Sequence, residues 1–192
     1  MRDWASMNTT QYVGRFLATL VGVSTSIITI GLTHESFAQD KAPNTQERIG
    51  VYDSRAVAVA FYGSPVHMEQ LRQLKAEHQK AKDAGDLGKA AQLEAKGKAQ
   101  QEKAHQQGFS TAPVDELLLH ITNALPEIQK TAGVTAMISK WDEAGLKKHP
   151  GAERVDVTMK LVDAFQPNER QRKSAIEIQK QKPLSLEQAK ED

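Results

Sequence analysis

The chain contains no cysteine. Disulfides, a thiolate nucleophile and thiolate metal sites are therefore excluded. Aromatic residues are scarce, at 5% of 192 residues, which fits a helical protein with a small core. An excess of charge of either sign is also missing: 25 Lys and Arg face 24 Asp and Glu, a formal net charge of +1. Nothing in that balance points to nucleic acid or to an anionic membrane surface. Motifs that carry chemistry are absent too, so the sequence reads as non-enzymatic and without a cofactor, and function has to be argued from architecture and address.

One apolar run stands out, from Phe16 to Leu32. Arg2 and Arg15 precede it as a positive n-region, and Ser36-Phe37-Ala38 offers small residues for cleavage before Gln39. Residues 1–38 therefore read as a secretory signal peptide. The alternative is an uncleaved anchor, but the run is near the lower length limit for a span and is diluted by Thr and Ser. The expected mature protein is periplasmic, starts after Ala38 and keeps no stable membrane span. Residues 39–47 are polar, carry Pro43 and have no period, so they form a linker.

The most distinctive stretch runs over residues 64–108. Ser64 is placed to cap a helix and Pro65 to occupy its first position. From Val66 to Ala84 nearly every residue is a good helix former. Gly85 suits a left-handed stop and Asp86 a second cap, after which the helix resumes through Leu93 to Gly108. A short link between two helices makes an antiparallel αα-hairpin. Its seams are thin: Leu71, Leu74 and Ala81 on one limb, and Ala90, Leu93 and Ala104 on the other. His67, His78, Gly97 and Gln100 fill the gaps. Alanine and glutamine bury too little apolar area for a core, so this segment is expected to project as an arm. Leu71, Leu74, Leu87 and Leu93 are its candidate contacts with a partner or client.

The flanking segments carry the expected core. Arg48 to Tyr52 reads as a short buried strand, and Ala56 to Tyr62 is ambiguous between strand and helix, with Asp53 or Ser54 as an N-cap favouring a helix. Val114, Leu117, Leu118, Ile121, Leu125 and Ile128 recur at the helical period, with Pro126 expected to kink that helix or split off its last turn. Val134 to Ser139 alternates as a second strand, residues 141–152 read as a loop, and Arg154 to Val157 as a third strand. A helix with an apolar face of Leu161, Val162 and Phe165 follows, and Pro167 ends it. Residues 168–192 form a charged tail with one more helix around Ser174–Lys180 and fraying beyond it. The expected fold is α+β and mostly helical: a small three-stranded sheet body over residues 48–167 with a projecting antiparallel helical hairpin.

This order, with the opening "RIGVYDSRAVAVAF", the Ala/Gln/Lys-rich hairpin, "GVTAMISKW" and "VDVTMKLVDAF", resembles the Skp or OmpH-like family of periplasmic chaperones. The resemblance covers residues 48–166, and its turn signature is Asp156-Val157-Thr158. It implies a trimer whose strands build a small body and whose tentacles enclose unfolded outer-membrane proteins. The arm here is short, about 30 Å per limb, and only slightly basic.

Two constellations compete with the arm for function. Asp53-Ser54-Arg55 sits between a strand and a helix, where it reads either as a strand-end site (Asp53 as acid or base, Arg55 as anion clamp) or as caps with a paired arginine. No Gly-rich loop or parallel-sheet repeat accompanies it, which favours caps. His67 and His78 share a helix face but lie about 16 Å apart. His105 falls roughly opposite His67, with no third ligand placed to complete a set, so solvated histidines are expected rather than a metal site. The expected function is an oligomeric holdase for unfolded envelope proteins. The alternatives are an adaptor that docks a partner through the hairpin, and a small ligand-binding or hydrolytic protein centred on Asp53.

Overall fold

The computed structural model describes residues 46–191. The expected signal peptide and nearly all of the linker lie outside the described residues. The fold is mostly helical around a small sheet, in the α+β class that the residue pattern implies. Strand β1 (Arg48–Tyr52) leads through Asp53 into helix α1 (Ser54–Tyr62), so the ambiguous Ala56–Tyr62 run is helical. Asp53 accepts from the Arg55 amide and caps that helix.

Helices α2 (Pro65–Asp83) and α3 (Leu87–Phe109) follow, close to the expected bounds. Ser64 caps α2, with Pro65 in its first turn, and Asp86 caps α3. Between them Gly85 takes φ 72°, a left-handed conformation that costs a glycine little. The two helices touch: a side chain built on Gly97 would stand 3.8 Å from Leu74. The half-buried or buried positions of α2 are His67, Leu71, Leu74, His78 and Ala81, spaced alternately by four and three, with Glu69 half-buried beside them. Those of α3 before its last turns are Ala90, Leu93 and Gly97. Gln100 is exposed and fills no gap, a correction to the expected seam.

The expected amphipathic helix over residues 114–128 is broken. Helix α4 (Asp115–Leu118) runs into a 3-10 turn (Leu119–Ile121), and α5 (Leu125–Ala132) starts afresh with Pro126 in its first turn. Proline forces this, since its ring would collide with the carbonyl four residues earlier in a continuous helix. The break therefore falls before Pro126 and involves a whole turn rather than a kink. Gly133 closes α5 in the left-handed conformation.

Strand β2 (Ala136–Ser139), helix α6 (Glu143–Lys147) and strand β3 (Glu153–Asp156) come next. Helix α6 replaces part of the loop expected at 141–152, because Asp142 accepts from the Gly145 amide and caps a turn. The sheet has the order β2-β1-β3, and both pairings are parallel. Ile49 faces Ala136 and Arg154 across the two ladders. Helix α7 (Thr158–Ala164) follows, and Gln166 ends the turn after it at φ 55°.

The tail does not simply fray. Helix α8 (Glu169–Lys180) opens on a capping box at Asn168 and Gln171, and it lies on α1 with Ala175 and Ile178 buried. A last short helix, α9 (Gln188–Glu191), packs on α3. The core is thus α1 enclosed by α3, α7 and α8, built from Ala56, Val57, Ala58, Ala60 and Phe61 against Val114, Leu117, Val157, Leu161, Val162 and Phe165. Alanines at 56, 58 and 60 let neighbouring backbones come close, which keeps the density high with few large side chains.

Candidate functional site

At the carboxyl end of β1 the chain buries an ion cluster. Asp53 and Arg55 are each 1% exposed. Asp53 Oδ1 accepts from the Arg55 amide at 3.0 Å and from Arg55 Nε at 3.1 Å. Its Oδ2 accepts from Arg55 Nη2 at 2.8 Å and lies 2.6 Å from Lys140 Nζ. Arg55 Nη1 donates to the Gln181 carbonyl at 3.0 Å. Trp141 completes the arrangement, with Arg55 Cζ 5.2 Å and Lys140 Nζ 4.6 Å from its ring centre. The Asp53 amide donates to Thr158 Oγ1 at 3.0 Å.

Burial by itself would raise the Asp53 carboxyl, but the hydrogen bonds and charges of Arg55 and Lys140 outweigh it and hold the group below its ordinary range. The carboxylate is ionised at neutral pH and its oxygens already receive four donors. To accept a proton from a substrate it would have to give up an ion pair, so the geometry suits a clamp. Through it β1, α1, the end of β2, the start of α7 and the segment after α8 are tied at one point. Sequence reasoning singled out Asp53 and Arg55 but not Lys140 as their partner. Lys140 follows Ser139, which pairs in register with Tyr52, so only the parallel pairing brings it to Asp53.

A second polar joint holds the root of the helix pair. The Tyr62 hydroxyl donates to Gln107 Oε1, and Gln107 Nε2 donates to the Pro113 carbonyl at 2.7 Å and to Glu116 Oε1 at 2.6 Å. Lys103 Nζ lies 2.6 Å from the same Glu116 oxygen. Gln107 is buried although it is a side chain that usually stays in water. Burial and then the Glu116 charge push the Tyr62 hydroxyl up to about 12, which keeps it a donor. No residue of this joint was visible in the sequence as functional, since a glutamine before a glycine carries no signal of its own.

The expected arm contacts divide into two groups. Leu71, Leu74 and Leu93 are half-buried in the seam, whereas Leu87 stands at the turn with 75% of its surface exposed. The other exposed large apolar residues among the described residues are Val66, Met68, Phe109, Leu119 and Leu186. Of these, Val66, Met68 and Phe109 sit at the ends of α2 and α3 nearest α1 and α4. A groove of about 430 Å³ lies along the first turns of α2, lined by Pro65, Met68, Glu69, Leu71, Arg72 and Lys75. The three histidines of the pair do not gather: His67 packs on Tyr62 and Phe61, and His105 on Phe109. No group of three metal-binding side chains occurs among the described residues.

Compared with protein-family models, characterised proteins and solved structures, the chain matches none at a significant level.

Proposed function

We propose that the protein is a non-enzymatic holdase of the cell envelope, in which the α2–α3 pair acts as a projecting arm and the sheet and remaining helices as a body. The observation that carries this reading is the contrast in burial along the pair. Between Val66 and Gln106 only Ala81 and Ala90 are buried, although those residues make up most of two long helices. Such a pair keeps its backbone bonds satisfied internally, and beyond the root, where α3 packs on α1 and Gln107 is buried, few large side chains tie it to the body. Unfolded outer-membrane proteins are the clients that the family resemblance implies, and extended chain would be held along the limbs of the pair, with the half-buried Leu74 and Leu93 among the contacts.

One arm offers little area, so affinity has to come from several arms held together. The sheet order leaves β2 and β3 each with one open edge, and association of copies, a trimer by resemblance, would cover those edges. An extracytoplasmic address is part of this reading through residues 1–38, and intact mass of the protein from the envelope fraction tests it. A mature start other than Gln39 would count against it.

The decisive experiment removes the arm and keeps its joint. Leu71 and Gln100 stand at comparable heights, since Leu74 meets Gly97, so residues 72–99 can be replaced by a short glycine linker while Tyr62, Gln107 and Glu116 stay. The shortened protein is expected to fold and associate but to lose suppression of aggregation of a diluted unfolded outer-membrane protein. Full activity without the arm would refute the proposal. The adaptor reading is favoured by one feature, the exposed Leu87 at the turn. Leu87→Asp would abolish partner docking at the tip while leaving aggregation suppression by the limbs intact.

A further inference from the structure

Two imidazoles meet one phenylalanine where α2 leaves the body. The His67 ring centre is 5.3 Å from that of Phe61 and 4.9 Å from that of Tyr62, which it meets edge to face. The His120 ring, from the 3-10 turn, is 4.7 Å from the same Phe61. His67 is half-buried and His120 exposed. The His67 amide bonds the Ser64 cap, which places its ring in the first turn of a 19-residue helix.

A positive charge on His67 meets three kinds of opposition there. It loses water, it stands at the positive end of the helix, and it faces the His120 imidazole, whose charge opposes it. The groups that face it are Phe61 and Tyr62 from α1 and His120 from the 3-10 turn, and neither imidazole forms a salt bridge among the described residues. Glu116 of α4 acts on Tyr62 rather than on His67 and is held by Lys103 and Gln107, while His105 of α3 turns to Phe109.

We propose that this corner is an acid-operated latch: protonation of His67, whose ring packs on Phe61 and Tyr62 beside His120, releases the first turns of α2 from the body while α3 stays docked on α1. The proposal rests on the reading of that pair as the working arm and adds its regulation. Burial first, and then the His120 charge, lower the pKa of His67. The unfolded or released form thus binds a proton more readily than the latched form. The stability contributed by the neutral ring is complete above the free imidazole value of about 6.5 and is lost as pH falls through that value towards the lower latched one. His67 lies outside the buried core cluster, so the loss is local to the root of α2, and the ionised Asp53 clamp does not titrate in that window.

Hydrogen exchange of the full chain at pH 7.5 and pH 5.0, corrected for intrinsic rates, tests the latch. Amides of α2 near Leu71 and Leu74 are expected to lose protection at pH 5.0, by about tenfold for each unit by which His67 is depressed. Amides of α1 and α8 should keep theirs and serve as the internal standard. In His67→Phe with His120→Gln the loss at α2 should vanish while α1 protection at pH 7.5 is retained. Should that pair fail to fold, His67→Gln alone, neutral at both values, should flatten most of the dependence. Imidazole titration by NMR should place His67 below the free value. An α2 response absent in the native chain, persisting in the variants, or shared equally by α1 and α8 would overturn the latch. None of these readouts depends on client binding, so a failed holdase assay leaves them untouched.

Discussion

Helices α1 and α2 are neighbours in sequence and opposites in physics. Of the nine residues of α1, seven are buried; of the nineteen of α2, one is. Helix α1 holds its place by apolar contact on several sides, and its sequence (Ser-Arg-Ala-Val-Ala-Val-Ala-Phe-Tyr) has no polar face to offer water after Arg55. Helix α2 forms because its caps and its helix formers make the conformation cheap, and a two-residue turn at Gly63-Ser64 separates the regimes. The lesson is that length is no guide to importance in the core: a nineteen-residue helix can bury a single residue where a nine-residue one buries seven.

Five substitutions press on that contrast. The largest effect is expected from Arg55→Met, which leaves Asp53 buried with only Lys140 as a charged partner and should cost about 3–5 kcal/mol in urea unfolding. The clamp also sets an acid limit. Because the folded Asp53 carboxyl is depressed, its contribution is present above the unfolded carboxylate value near 4 and disappears as pH falls through the folded one. Native protein should therefore lose stability steeply below about pH 4, and Arg55→Met less so. Next comes Leu161→Ala in the body, about 2–5 kcal/mol, set against Leu74→Ala in the seam. If the seam variant costs as much as the body variant, the two regions do not differ as described.

Tyr62→Phe removes one hydroxyl and leaves Gln107 Oε1 buried without its donor, at a cost of about 1–3 kcal/mol. The loss should show in exchange at the end of α3 before it shows in α8. The smallest change is a gain. Gly97 lies inside α3 and an added methyl would meet Leu74 at ordinary contact distance, so Gly97→Ala should stabilise the pair by about 0.5–1 kcal/mol. A rise in α3 protection without a rise in α1 would confirm that the pair opens independently of the body.

What the sequence by itself determined is local. Ser64-Pro65, Gly85-Asp86 and Gly133 mark helix ends through bonds made within a few residues, and the observed bounds follow them. Mixed helices and three short strands followed from periodicity, and Asp53 as a cap from its place before an apolar run. Tertiary structure alone decided the parallel order of the strands, the arrival of Lys140 at Asp53, the docking of α8 on α1 and the burial of Gln107. The strand partners, Lys140 at Asp53 and α8 on α1 come from far along the chain, and for Lys140 and Gln107 the side chain's own preference, to stay in water, points the other way. Pairing energy realised only in the folded chain overrides that preference, and no window of neighbouring residues contains it.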